Sequence, residues 1–581
     1  MSTKEFDVVI VGSGAAGCVV ADYLARHPRA SIAVIEAGDK DRDPMIHIPA
    51  GYSNILAHDR HVWAYDTVPV HGTPRRFRMG KVVGGGSSIN AMCYVRGQKQ
   101  DFDAWQAAVG DTGDWSWDTI IQAYIEQEKN DTFHNAHHGI HGDLSVELPK
   151  GINELNQRCM KAFQEYGLPY NADYNGDFQN GVSPVQTNTL NGKRCSAAVA
   201  YLHRHVDSGR VKLLTGYTVT KVLLDGTRAV GVRALNGKNE QDIRADLVIM
   251  SAGAVQSPKI LMHSGIGQRE QLQKFGIEVK VDLPGVGENL HDHPIIPITA
   301  YVKGKMGYQH SAHGIGSLVA GMRYLLTRDG PASGNGIETV SYWNPLDLDS
   351  EEPTVQCYHE PIIAADGLNP TGSRSGVTFA TVVLQPKSRG WVRLADSDPT
   401  SMPLINPNFI GHEYDLKVGI DAVKAVRKVM EQESLAEVVD EEVLPGKDKQ
   451  SDEQIGEFVK SVATTMWHPV GTCRMGLDEG AVVDARLKVR GTEQLHVIDA
   501  SIMPTITSGN TNIFAISEQP VGRRRAASWQ SNTWERSRRS LNGLGSLDGT
   551  RHATIARDHG LRVGAMAGGS RTLWAACQPK G

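Results

Sequence analysis

The stretch Gly12-Ser13-Gly14-Ala15-Ala16-Gly17 constrains this chain more than any other. Before it, Phe6 to Val11 is a nearly continuous apolar run rich in β-branched residues, the pattern of a strand buried on both faces of a parallel sheet. After it, Cys18 to Arg26 carries apolar residues at helical spacing. Ile32 to Ile35 is a second buried strand that ends at Glu36, nineteen residues past Gly17. Strand, G-x-G-x-x-G, helix, strand and acid, in that order, predict a dinucleotide-binding unit. Gly12 makes the tight turn, Gly14 lets the backbone approach a pyrophosphate, and Gly17 lets helix and strand pack closely. The helix opening at Ala15 offers free N–H groups and a partial positive charge to the phosphates. Glu36, followed by Ala37, is placed to accept hydrogen bonds from an adenosine ribose. An acid there argues against NADP, but the loop alone does not separate FAD from NAD.

At 581 residues the chain is too long for one compact core, so two or more domains are expected. No apolar run approaches the roughly 18 residues that span a bilayer. The N-terminus enters a strand at Phe6 with no basic region, apolar core or cleavage site, so no secretion signal is expected. Seven cysteines, at 18, 93, 159, 195, 357, 473 and 577, are scattered without a C-x-x-C pair. They read as reduced thiols of a cytoplasmic protein, not as a disulfide framework or a zinc site.

Residues 39–79 are polar and irregular, with aromatics at Tyr52, Trp63, Tyr65 and Phe77. Such a length reads either as a lid over a binding site or as a surface excursion whose aromatics plug a core. Residues 100–205 mix helix and loop, and Phe133 to Gly142 contains four histidines. Glycines make that segment a loop with few carboxylates nearby, so it reads as a solvated or interface loop, with no metal expected. Val211 to Leu224 reads as two short strands around Gly216, and Asp246 to Met250 as a buried strand returning to the nucleotide sheet. From 295 to 465 the nucleotide pattern stops. Strand-like pieces such as Gly376 to Leu384 and Gly390 to Leu394 alternate with loops, and Asp415 to Met430 is helical.

Gly84-Gly85-Gly86-Ser87-Ser88 is poor helix and poor strand, and suits backbone lying flat against a bulky planar ligand. The stretch Gly80 to Gly97 that contains it resembles the first signature of the glucose–methanol–choline (GMC) flavoprotein oxidoreductases. Gly253 to Gly267 resembles the second, and the resemblance runs from about Phe6 to Asn512. Within the family the chain is most similar to bacterial alcohol dehydrogenases of the choline, aliphatic-alcohol and sorbose type. Gly167 to Asn171 and Arg194 to Ser196 lean towards the sorbose members.

The resemblance implies an α/β fold, with a Rossmann-like FAD-binding domain interleaved with a substrate domain built on an antiparallel sheet with outer helices. The FAD-binding segments would be 1–40, 78–135, 205–295 and 465–520; the lid and substrate segments would be 41–77, 136–204 and 296–464. It makes the dinucleotide FAD. Gly86, Asn90, Ala91, Met92 and Cys93 would lie beside the isoalloxazine and ribityl chain, and Val219 would hold the adenine through its backbone. Asp499 and Ala500 would contact the phosphate and ribityl region, next to Asn510 and Thr511. Some members carry a histidine bonded covalently to the flavin where this chain has Ile89, so non-covalent FAD is expected. Pro284 to His293 resembles a loop under the flavin, and its His291 and His293 read as structural.

Alcohol oxidation removes a hydride from carbon and a proton from oxygen. An alkoxide donates hydride far better than a neutral alcohol, so a positioned histidine base is the natural device, supplying about 10²–10⁴-fold. His468, in Trp467 to Gly476, matches the family's base. Asn510 matches the second position of its catalytic pair and can donate a hydrogen bond as charge develops on oxygen. The flavin N5 would take the hydride. Electrons would pass to a quinone-type acceptor, in a cytoplasmic enzyme whose peripheral association with the inner face of the membrane is left open. Rival functions are an oxidase using oxygen, a flavin-bound lyase acting on cyanohydrins, and an inactive flavoprotein. No nucleic-acid partner is expected.

After Asn512 the family pattern breaks. Pro520 and Gly522 interrupt the expected closing helix, and residues 521–581 carry a net charge of +8 against −13 for the rest. Low periodicity and many Gly, Ser and Arg residues favour disorder. This tail reads as the product of an altered reading frame or a divergent end without a partner, in preference to a basic arm.

Overall fold

The computed structural model describes residues 5–26, 30–364 and 371–517. The atypical tail of 521–581, with Pro520 and Gly522, lies outside the described residues. All described residues belong to one compact unit.

The glycine turn sits where expected. Strand β1 (Phe6–Val11) leads through it into helix α1 (Ala15–Ala25), and β2 (Ile32–Glu36) follows, every residue of it buried. The helix opens at Ala15 instead of Cys18, because the small residues Ala15 to Gly17 let its first turn press against the strand. An added Cβ on Gly17 would stand 2.1 Å from the carbonyl oxygen of Gly12.

Residues 39–79 carry more structure than their polarity suggests. They contain the hairpin β3 (Val62–Asp66) and β4 (Arg76–Gly80), paired from Val62 with Gly80 to Asp66 with Arg76.

The nucleotide sheet has seven strands. To one side of β1 lie β2 and β6 (Val211–Thr215), both parallel to it. To the other lies β9 (Asn239–Met250), also parallel, matching Val8 to Leu247 and Val11 to Met250. The start of β9 pairs antiparallel with β8 (Arg228–Asn236), itself paired with β7 (Tyr217–Asp225). Sequence periodicity finds only the apolar end of β9. Its first residues, Asn239, Glu240 and Gln241, are exposed and polar. Strand β16 (Leu495–Val497) lies beside that apolar end.

The second sheet is antiparallel. Its order is β14 (Val439–Leu444), β10 (Pro294–Val302), β13 (Gly376–Val383), β12 (Val355–Glu360), β11 (Thr339–Trp343) and β5 (Gly181–Pro184). The short β15 (Thr464–Thr465) also joins β10. Strands β11, β12 and β13 are buried throughout, so both faces of the sheet are covered. On one face Ile296, Ile298 and Phe379 pack against helices α2 (Glu154–Glu165), α5 (Glu413–Met430) and α6 (Asp452–Val462). On the other, Tyr342, Tyr358 and Val382 pack with Cys93, Val95 and Tyr174. The α/β class and the sheet-plus-helix architecture are as expected.

Helix α4 (Gly314–Thr327) behaves differently. Only Ala320 and Tyr324 are buried, while Ile315, Leu318, Val319, Met322, Leu325 and Leu326 are 55–82% exposed. Among the described residues no helix is long and apolar enough to cross a membrane. Cys18, Cys93, Cys159, Cys195, Cys357 and Cys473 are free and buried; Cys577 lies outside the described residues.

Candidate active site

One large cleft lies between the glycine turn and the antiparallel sheet. Gly12, Gly14, Ala15, Glu36 and Ala37 line one end. Gly86, Asn90, Ala91, Met92, Cys93 and Val219 line its walls, as do Asp499, Ala500, Asn510, Thr511 and His468. Gly17 alone of the expected cofactor residues is absent from the lining. Its place is behind the turn, where helix meets strand.

Gly12 has φ +98°, and a Cβ there would stand 2.4 Å from the Ser251 carbonyl oxygen, so both backbone and space demand glycine. Glu36 is buried, and its carboxylate also closes the turn. It accepts from the Ser13 amide (3.0 Å), the Ser13 hydroxyl (2.7 Å) and the Gly38 amide (2.9 Å). A carboxylate has about four acceptor positions, so one remains for a ribose hydroxyl. Burial raises its pKa against these bonds. Asp499 points elsewhere. Its oxygens accept from the Ser501 amide and hydroxyl, the Gly253 amide (2.8 Å) and the Ser257 hydroxyl (2.6 Å). That carboxylate anchors the start of α3 (Gly253–His263) and has no acceptor position left for a ligand.

The cleft fits FAD on several observations. The start of α1 has no side-chain cap and no acid in its first turn, so its amides are left for an anion. Gly86 and Gly253 have no atom within 4 Å of an added Cβ, leaving bare peptide facing the space. Ser251 Oγ and Trp467 Nε1, both on the cleft lining, are buried without a hydrogen-bond partner.

At the junction of the two sheets stands His468. It is buried, and burial first, with His293 second, drives its pKa well below the ordinary histidine value. Trp467 before it holds φ +59°, an uncommon conformation for a bulky residue, with its amide bonded to Thr465 Oγ1 (2.7 Å). The His468 amide donates to Asp292 Oδ1 (3.0 Å). Asn510 lies on the same lining. Its Oδ1 accepts from Tyr358 Oη (2.8 Å) and Gln356 Nε2 (3.3 Å), leaving Nδ2 as its donor. His291 and His293 part company. His291 bonds back to the Asn289 carbonyl (2.7 Å), whereas His293 Nδ1 stands 3.1 Å from His468 Nδ1.

Sequence reasoning missed part of the lining. Tyr52, Trp63 and Tyr65 face the cleft while Phe77 sits in the core against Phe409, so residues 39–79 are both lid and plug. Glu360, Ile337 and Met466 also line it, and no local motif marks them. The histidine run contributes nothing to the cleft. His138 is bonded between Glu128 (3.0 Å) and Asp173 (2.8 Å).

A parallel nucleotide sheet, a cleft roofed by an antiparallel sheet and a buried histidine at their junction define a flavin-dependent oxidoreductase. Residues 6–295 match the N-terminal and residues 386–517 the C-terminal part of the GMC oxidoreductase family. The chain is 36% identical over 516 residues to an alcohol dehydrogenase [acceptor] of Pseudomonas putida, covering 87% of this chain and 93% of that one. It is 35% identical over 526 residues to an oxygen-dependent choline dehydrogenase of Escherichia coli, covering 88% and 94%. Among solved structures, pyridoxine 4-oxidase from Mesorbium loti superposes with TM-score 0.81 at 28% identity, over 90% of this chain and 99% of that one. A formate oxidase superposes with TM-score 0.82 at 26% identity, over 91% and 99%. The chain belongs to the GMC oxidoreductase family. It is an FAD-dependent enzyme of the class acting on CH–OH groups.

Proposed function

We propose that the protein oxidises an alcohol to the aldehyde or ketone, with His468 as general base and Asn510 as hydrogen-bond donor to the substrate oxygen. The observation that carries this is the pair itself. A buried histidine, held neutral, and an amide whose oxygen is already engaged both line one cleft. The neutral imidazole accepts the hydroxyl proton, and Asn510 Nδ2 stabilises the charge developing on oxygen. FAD, when bound, supplies the two-electron acceptor for the hydride leaving carbon. The walls hold the alcohol away from water.

In this proposal residues 1–40, 78–135, 205–295 and 465–520 form the FAD-binding domain, and 41–77, 136–204 and 296–464 the lid and substrate domain. The cofactor is non-covalent. Ile89, buried on the cleft, offers no nucleophile, and burial pushes the Cys93 thiol up to about 12. Electrons pass to a quinone-type acceptor; the name of the Pseudomonas putida relative specifies an acceptor without stating its chemistry. The protein works in the cytoplasm, peripheral to the membrane. The outward apolar face of α4 supports that placing, since an exposed apolar helix face suits a headgroup boundary. On the substrate side, Glu360 shares the lining with Tyr52 and Trp467, a carboxylate among aromatics that favours an alcohol bearing a positive charge.

Anaerobic addition of a panel of neutral and cationic alcohols to the flavin-loaded protein tests the proposal. The visible flavin bands should bleach with at least one alcohol and recolour on adding a quinone faster than on admitting air. Bands that never bleach while a cyanohydrin is cleaved would point to the lyase. Recolouring fastest in air would make it an oxidase.

A further inference from the structure

We infer that His293 is a positioning residue that fixes the tautomer of His468 and so decides which of its nitrogens accepts the alcohol proton. This rests on the reading of His468 as the base. The geometry starts at a backbone carbonyl. Leu384, at the end of β13, directs its oxygen to His293 Nε2 at 2.9 Å. A carbonyl can only accept, so Nε2 of His293 carries a proton. His293 is also enclosed, and burial pulls its pKa down to about 4 although the Leu384 and Thr507 backbones favour the charged form. A neutral imidazole protonated on Nε2 has a bare lone pair on Nδ1. That lone pair faces His468 Nδ1 at 3.1 Å, with the rings edge to face at 83°. Two lone pairs cannot face each other at this distance. His468 therefore donates its Nδ1 proton to His293, and its own lone pair lies on Nε2.

The arrangement is held on the backbone as well. The Met466 amide donates to the His293 carbonyl (3.0 Å), and Asp292 Oδ1 takes the His468 amide (3.0 Å). Asp292 Oδ2 accepts from Thr465 Oγ1 (2.5 Å), so both loops are clamped either side of the histidine pair. When His468 takes the substrate proton on Nε2, its Nδ1–H still meets the His293 lone pair. The imidazolium is then stabilised by a charge-assisted hydrogen bond to a neutral ring, while the one carboxylate close by, Asp292, is bonded to the His468 amide and the Thr465 hydroxyl. A carboxylate in that position would stabilise the imidazolium before substrate arrived. A neutral partner keeps the base in its unprotonated form at rest.

His293→Asn and His293→Gln separate this role from packing. The Asn amide stands near the Nδ1 position and offers Oδ1 to His468, but gives up the Leu384 bond. The Gln amide reaches the Nε2 position, keeps the bond to Leu384 and leaves His468 without an acceptor. Both are measured as the FAD-loaded enzyme, with flavin content, melting temperature, kcat and KM recorded for each. The expected result is that H293N keeps kcat within about tenfold of the parent. H293Q should lose about a hundredfold or more in kcat, the scale of a positioned base, with KM changed less than threefold. Equal kcat in the two variants, or a better H293Q than H293N, overturns the inference. So does loss of flavin from both, which would assign His293 to holding the loop. His468→Ala in the same assay tests the base itself. If H468A retains full activity, the proposed function fails. If H468A is inactive while H293N and H293Q are equal, only the inference about His293 fails.

Discussion

Tyr358 donates a 2.8 Å hydrogen bond to Asn510 Oδ1 from the middle of β12, 152 residues away in sequence. Burial drives the Tyr358 pKa well above its usual value, so the phenol keeps its proton at any working pH. The bond turns the Asn510 amide so that its nitrogen, and not its oxygen, is left to donate. Replacing Asn510 by Ala should lower kcat by about 10²–10³-fold, the cost of one lost donor to a developing oxyanion. Tyr358→Phe keeps the donor but loosens its aim, and should cost less than tenfold. Steady-state kinetics on both, at matched flavin content, would check this ranking. A Y358F defect as deep as that of N510A would show that Tyr358 does more than orient.

His468→Ala should lower kcat by about 10²–10⁴-fold while leaving flavin absorbance unchanged, because the imidazole acts on the substrate proton. Stopped-flow bleaching under anaerobic conditions isolates that step from reoxidation. Unchanged bleaching in H468A would remove His468 from the mechanism.

Acid precipitation of the loaded protein should release all yellow colour into the supernatant. Ile89 has no nucleophilic atom, and the Cys93 thiol, held at about 12 by burial, is not a thiolate at neutral pH. Colour retained in the pellet would show a covalent link and rule out the non-covalent assignment.

Glu360→Gln should raise KM for cationic alcohols about tenfold, the size of one lost partly buried charge contact. KM for neutral alcohols should stay within twofold. A parallel rise for both would mean that Glu360 shapes the cleft without reading charge.

His138 sets a pH term in stability. Burial alone would lower its pKa, but its bonds to Asp173 and Glu128 outweigh that and raise it above 6.5. A raised folded-state pKa contributes stability that is complete below the unfolded value. That stability is lost as pH rises through the folded value. Thermal melts of the protein should therefore show this contribution fading as pH climbs past about 6.5. In His138→Gln that slope should flatten. An unchanged slope in the variant would assign the pH dependence elsewhere.

Much of the nucleotide end is legible because its rules are local. A β-branched run, three glycines at fixed spacing and an acid at the end of the next strand each act on near neighbours in sequence. They name Gly12, Gly14, Gly17 and Glu36 without any tertiary information. Periodicity finds the helix Glu413–Met430 and the strand Gly376–Val383 for the same reason. It stops at the polar start of β9, and it leaves residues 39–79 undivided between lid and plug. An apolar pattern reports what a residue avoids, not what it meets. Tyr52 and Phe77 look alike in sequence, yet one faces the cleft and the other the core.

The sequence by itself determined the cofactor-binding turn, because its rules depend on short-range geometry, and its resemblance to GMC oxidoreductases pointed to the class of fold and to His468. Only the tertiary structure decided how that histidine is tuned. The His293 contact spans 175 residues, and the Leu384 carbonyl that fixes His293 comes from another sheet strand. Alternation along β12 puts Gln356, Tyr358 and Glu360 on one face, but only the packing of one sheet against the other brings Asn510 to that face. The protonation state of a buried group depends on which dipoles surround it and on how far it lies from water. Chain order contains neither quantity until the two sheets meet.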